Sequence, residues 1–100
     1  MDQRALNKRD YMLAHPKSEL SGLQAHDPHH CIIFDEKKFP ELTCPENLIA
    51  LTRDEHSYWQ GKGYTGRKFF WYYKCIQFGE EHMKQWYENL PGKIARERMW

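Results

Sequence analysis

Apolar residues in this chain fall into short clusters separated by polar, turn-rich stretches. From Asp2 to Leu13 the few apolar positions, Ala5, Leu6, Tyr11 and Leu13, fit a polar amphipathic helix. "HPKSELSGLQ" reads as turns, with Pro16, Ser18, Ser21 and Gly22 close together. "HHCIIF", His29 to Phe34, predicts a short strand by β-branching and length. "DEKKFPELTCPE" predicts a loop broken by Pro40 and Pro45, and "NLIAL", Asn47 to Leu51, a second strand. At Thr52 the pattern changes. Thr52 followed by Glu55 has the form of a capping box, so a helix is expected there, with Gly61 as its stop.

"GKGYTG" reads as a loop. "RKFFWYYKCIQF", Arg67 to Phe78, is long for a strand and ends at Gly79, which favours a buried helix. "EEHMKQWYENL" carries acids in its first turn, as a helix N-terminus prefers, and Pro91-Gly92 ends it. The last eight residues are expected to be a tail or a short final turn. The expected fold class is α+β: two short antiparallel strands and a helix, with flanking helices. One domain over 1–100 is expected, with its core over Lys17–Gln60 and a helical C-terminal part over Tyr64–Pro91.

Composition narrows the class. One hundred residues suit one small domain, which buries little and is marginal unless something staples it. The formal net charge of +1 does not announce a nucleic-acid binder. Locally, Arg4, Lys8, Arg9 and Lys17 make the start basic. Lys62, Arg67, Lys68 and Lys74 make a second basic stretch, interleaved with Tyr64 and the run Phe69 to Tyr73. A solvated helix face and a phosphate-contacting face both account for it. The run Phe69 to Tyr73 is expected to be core, because a small domain needs that burial. The cysteines, Cys31, Cys44 and Cys75, are odd in number and lack pair spacing, which argues for reduced thiols and a cytoplasmic protein. The polar start is not a secretory signal, and no apolar run is long enough for a transmembrane helix.

Five residues on this frame carry chemistry. His29 and His30 open the first strand, where neighbours point to opposite faces and can take different roles. Asn47 enters the second strand. His56 lies one turn into the following helix, and Gln60 four residues on shares its face. This order, "HHCIIF", "PENLIAL", "TRDEHS", resembles the HNH endonuclease family, the ββα-metal or His-Me finger nucleases, over Lys17–Gln60. The aromatic, basic segment after Gly61 looks like the helical tail of small phage-type members.

The resemblance implies a metal-dependent endonuclease that hydrolyses DNA phosphodiester bonds, nicking or cutting both strands, through one divalent ion: Mg, Mn, Ni, Co or Zn. It implies His29 and His56 as metal ligands, with Gln60 or water as the third. It makes His30 the general base and Asn47 the residue that ties down the loop between the strands. Lys62, Arg67 and Lys68 would contact DNA. The chemistry is sound in itself: a neutral imidazole can take a proton from water near neutral pH, and a cation can stabilise the developing charge.

The sequence departs from the family at its structural zinc. Ser18, Ser21, Thr52 and Glu55 stand where many members carry four cysteines, so no structural zinc is expected. The capping box and a Ser18 turn are the expected replacement. A second hypothesis is a non-catalytic HNH scaffold that binds nucleic acid or a host protein. A third is a structural metalloprotein without phosphate chemistry. The implied partner is DNA and not a membrane, with a homodimer or partner protein left open. The expected location is the cytoplasm, that of the host for a phage protein.

Overall fold

The computed structural model describes residues 2–32 and 40–90. Helix α1, Gln3–Ala14, begins at Asp2, whose carboxylate accepts from the Ala5 amide at 2.8 Å. Strands β1, Asp27–His30, and β2, Leu48–Leu51, pair antiparallel. Between them, 3-10 turns cover Pro40–Leu42 and Pro45–Asn47. Helices α2, Arg53–Gln60, α3, Gly63–Phe78, and α4, Glu80–Glu88, follow. The fold class is α+β, and strand, strand and helix succeed one another as expected. Among the described residues, no helix is long and apolar enough to cross a membrane.

Three boundaries differ from the sequence expectation. β1 starts two residues early and ends at His30, while Ile33 and Phe34 lie outside the described residues. Pro28, which has no N–H to donate, is accommodated within it. Cys31 N–H bonds Asn47 O at 3.0 Å, and the alternation this sets puts Pro28, opposite Ala50, where no ladder amide is needed. "GKGYTG" is not a loop throughout: α3 already begins at Gly63. The expected stop at Pro91-Gly92 and the last eight residues lie outside the described residues. α4 itself ends at Glu88, with Asn89 as its cap. Gly79 has φ of +99° between α3 and α4, a conformation that favours glycine.

The sheet register decides what faces where. Leu48 and Ala50 pack with Tyr11 on the α1 side. Ile49 and Leu51 pack with Cys31, Ile32, Leu42, Phe70 and Met83 on the side of the later helices. The aromatic run divides. Phe70 is fully buried, but Phe69 and Tyr72 are 41% and 69% exposed. Five consecutive helical residues spread around the whole helix, so they cannot all enter one core.

Lys74 also departs from expectation. Counted with the basic stretch, it is fully buried. Its ammonium donates to Pro45 O at 2.9 Å, Gln77 Oε1 at 3.1 Å and Tyr11 Oη at 3.3 Å, which uses its three donors. Burial lowers its pKa.

The four positions that replace cysteines do come together. Thr52 and Glu55 form the capping box: Glu55 N–H donates to Thr52 Oγ1 at 3.1 Å, and Thr52 N–H donates to Glu55 Oε1 at 2.8 Å. Ser18 Oγ donates to the same Glu55 Oε1 at 2.6 Å and accepts from the amides of Leu20 and Ser21. A turn and a helix N-terminus are thereby joined through one carboxylate. Burial alone would raise the Glu55 pKa, but the hydrogen bonds from Ser18, Thr52 and Ser21 outweigh it and hold the carboxyl low. Glu55→Ala is expected to destabilise by about 1–2 kcal/mol, since it removes a cap and leaves Ser18 without this acceptor. Glu55→Gln should lose less. The fold should survive EDTA, followed by far-UV circular dichroism. Chelator-induced unfolding would mean that a structural metal holds this junction.

Candidate functional site

The period of two along β1 places Asp27 and His29 on one face, with Ile49 and Leu51, towards α2. His56, one turn into α2, meets them there. The His29 and His56 rings lie edge to face, with centroids 4.8 Å apart. Asp27 Oδ2 is 3.6 Å from His56 Nδ1, an ion-pair distance that is long for a direct hydrogen bond. Behind His29 stands Phe70 of α3, at 5.6 Å between centroids. His29 is only 4% exposed. Burial, and then the nearby charges of His56 and His30, push its pKa down to about 4. At neutral pH this imidazole is therefore uncharged, as a metal ligand must be.

His30 points to the other face, the α1 side. Its Nε2 is 3.1 Å from Thr43 Oγ1. Thr43 is buried, and its carbonyl accepts from Asn7 Nδ2 of α1 at 2.9 Å. The structure thus joins His29 to His56 and sets His30 on the opposite side of the strand, half-buried at the end of the ribbon.

Asn47 is fully buried. Its Oδ1 accepts from Ile32 N–H at 3.0 Å, and its Nδ2 donates to Leu42 O at 2.9 Å. The amide bridges the chain leaving β1 and the chain approaching β2, so both ends of the intervening loop are fixed. An amide can do this because it donates and accepts at once.

Gln60 is the last residue of α2 and is exposed. The oxygen donor that the structure brings beside His56 is Asp27. The sequence carries a signal for Asp27: it sits two residues before His29, on the same strand face. A strand that starts at His29 leaves Asp27 in the preceding turn, as an extra polar group near the site whose facing is not assigned. Lys62 lies over the Tyr58 ring at 4.4 Å, and Lys68 over the Tyr64 ring at 5.0 Å, both exposed. Arg67 is half-buried on α3.

Among the described residues, no group of three or more His, Cys, Asp or Glu side chains is already gathered as a metal shell. What the site offers is two neighbouring imidazoles, one of them held neutral, and a carboxylate beside the second. Those donor types fit a divalent cation of the borderline class.

Two outcomes follow, the first for the metal-free protein. His29 titrates near 4 when folded and 6.5 when free, so between those values the unfolded chain binds more protons. Stability should be full above pH 6.5 and fall towards pH 4, by on the order of 3 kcal/mol. Urea unfolding against pH checks this, and His29→Gln should flatten that window. Glu55, whose folded pKa is depressed, contributes above its free value of 4.5 and is lost only below it. Asn47→Ala, if it still folds by circular dichroism, should retain metal affinity by calorimetry while any turnover falls, because it anchors a loop. Complete loss of metal binding in a folded Asn47→Ala protein would make Asn47 a ligand instead. No family model, curated protein or solved structure matches this chain.

Proposed function

We propose that this chain is a metal-dependent endonuclease of the HNH kind, hydrolysing DNA phosphodiester bonds and working in the cytoplasm. The observation that carries the reading is the meeting of His29 and His56 across a strand, strand and helix frame, with Asp27 beside them. His29 and His56 would hold one divalent ion, and Asp27 is a better-placed oxygen donor than Gln60. When bound, such an ion supplies charge stabilisation at a scissile phosphate.

The protein's own groups do the rest. Burial under Phe70 keeps His29 neutral and fixes its ring. Asn47 sets the backbone on both sides of the loop. His30 is the proton acceptor for water. If its Nε2–H donates to Thr43, the lone pair lies on Nδ1, so Thr43 would select the tautomer and orient the ring. Thr43 then acts as a positioning residue.

One observation favours a second reading. His30 faces Thr43 on the α1 side, not the His29–His56 pair. A scaffold that binds nucleic acid or a partner protein without cutting it would tolerate that arrangement.

Plasmid nicking with Mg, Mn, Ni and Zn separates the two. A nuclease should nick only with metal. His30→Ala should keep metal binding and slow cleavage about 10²–10⁴-fold. His29→Ala should weaken metal binding, with partial rescue by excess metal. Binding without nicking under any metal, unchanged by His30→Ala, would establish the scaffold. Full activity in His30→Ala would remove His30 from the mechanism.

A further inference from the structure

The surface of α3 turned away from the core has a composition that the metal site does not explain. Phe70 and Lys74 mark the buried side of this helix, and Gly66 lies with them against Trp59. On the opposite side Tyr64, Lys68 and Tyr72 recur every four residues, one above another, with Phe69 next to them. Tyr64 is 49% exposed, Tyr72 69% and Phe69 41%. Tyr58 of α2, against Trp59, is 58% exposed. Large rings at this exposure lose most of the benefit of burial, so their presence calls for an account.

The cations are arranged on the rings. Lys62 stands over Tyr58 and Lys68 over Tyr64. Each ammonium is thus held beside an exposed π-face. No Asp or Glu occurs anywhere in α3, and the nearest acids in sequence, Asp54, Glu55 and Glu80, lie on the neighbouring helices. Phe69 is rigid, because it stacks on Trp59 at 4.7 Å between centroids and 12° between planes, and Trp59 in turn abuts Phe70. The patch is therefore a fixed aromatic surface with positive charge and no negative charge of its own helix.

We infer that this face binds single-stranded nucleic acid, with unpaired bases stacking on Tyr64, Phe69 and Tyr72 while Lys62 and Lys68 meet the phosphates. Charge complementarity selects a polyanion, and the exposed rings select one with accessible π-faces. A duplex hides its base faces inside the stack, so it would gain the lysine contacts but not the stacking. A protein partner would use the apolar rings but has no need of the lysines over Tyr58 and Tyr64. The inference stands apart from the nuclease reading, since it requires neither metal nor His30.

The test is fluorescence anisotropy with a labelled single-stranded oligodeoxyadenylate of about a dozen nucleotides, in EDTA, against the same length of duplex and an RNA strand. The single strand should bind more tightly than the duplex. Tyr72→Ala should weaken it about tenfold, the scale of one lost base-stacking contact, and Tyr72→Phe should restore it. Lys62→Ala with Lys68→Ala should reduce the salt dependence by roughly 1.4 units of slope, for two phosphate contacts on a single strand. Because the binding is read in EDTA, without metal or turnover, cleavage and binding can fail independently. Tyr72 is exposed, and circular dichroism would confirm that its variants fold. Equal affinity for duplex and single strand, or Tyr72→Ala binding as wild type, would overturn the inference. So would a concentration-dependent dimer that Tyr72→Ala disrupts, because the face would then belong to a second copy.

Discussion

The position of every residue in the candidate site depends on how one carboxylate anchors the two-stranded sheet. Glu19 lies in the turn region before β1. Its Oε2 accepts from Ala50 N–H at 2.7 Å and from Tyr11 Oη at 2.6 Å, and its Oε1 accepts from Tyr73 Oη at 3.0 Å. Its own amide donates to Ala50 O at 3.0 Å. The outer edge of β2 is thus closed by a backbone pair and a charged acceptor together, and α1 and α3 are tied to the same point. Both tyrosine pKa values are driven well up, by burial first and by Glu19 next. A two-stranded ribbon alone is marginal in water. Here it is held on one edge by Glu19 and from below by Lys74, whose ammonium reaches Tyr11 and Pro45.

A fixed ribbon has consequences because a one-residue slip would exchange its faces. With the observed register, Asp27 and His29 look towards α2, and Pro28 and His30 towards α1. The Ser18–Glu55–Thr52 junction then sets where α2 starts, and hence where His56 falls. Two hydrogen-bonded anchors, Glu19 and its neighbour Ser18 with Glu55, thus hold the outer edge of β2 and the start of α2 from the same turn. Neither anchor is apolar. The apolar contacts supply burial, but the polar ones choose the register.

Much of this was legible from local pattern. The capping box at Thr52 was readable because its two partners are three residues apart, and the histidine pair and Asn47 because their order and types are distinctive. What escaped depends on partners far apart in sequence. Glu19 reads as one more turn residue, because two of the donors to its carboxylate, Ala50 N–H and Tyr73 Oη, lie far along the chain in β2 and α3. Lys74 reads as part of a basic stretch, since nothing local says that its side chain turns inward to Pro45. The facing of Asp27 depends on the strand starting two residues before His29, across a proline that the ladder tolerates at a non-bonded position. The partition of the aromatic run needs only the helix period, but that period becomes decisive only once the segment is known to be helical.

The histidine pair ties these threads together. Burial makes the His29 imidazole unfavourable to protonate, whereas His30 is half-buried against Thr43. The same two-residue sequence gives both environments because the strand alternates. Phe70 lies on the buried side only, against His29, and it also carries Trp59 and Phe69. Rings therefore run without a break from the desolvated histidine to the exposed aromatic surface of α3. A change at Phe70 would reach both ends of that stack, loosening His29 and the platform together, whereas a change at Tyr72 touches only the surface. The physical separation of the two candidate sites is thus a matter of one buried ring, and their independence rests on that ring staying packed.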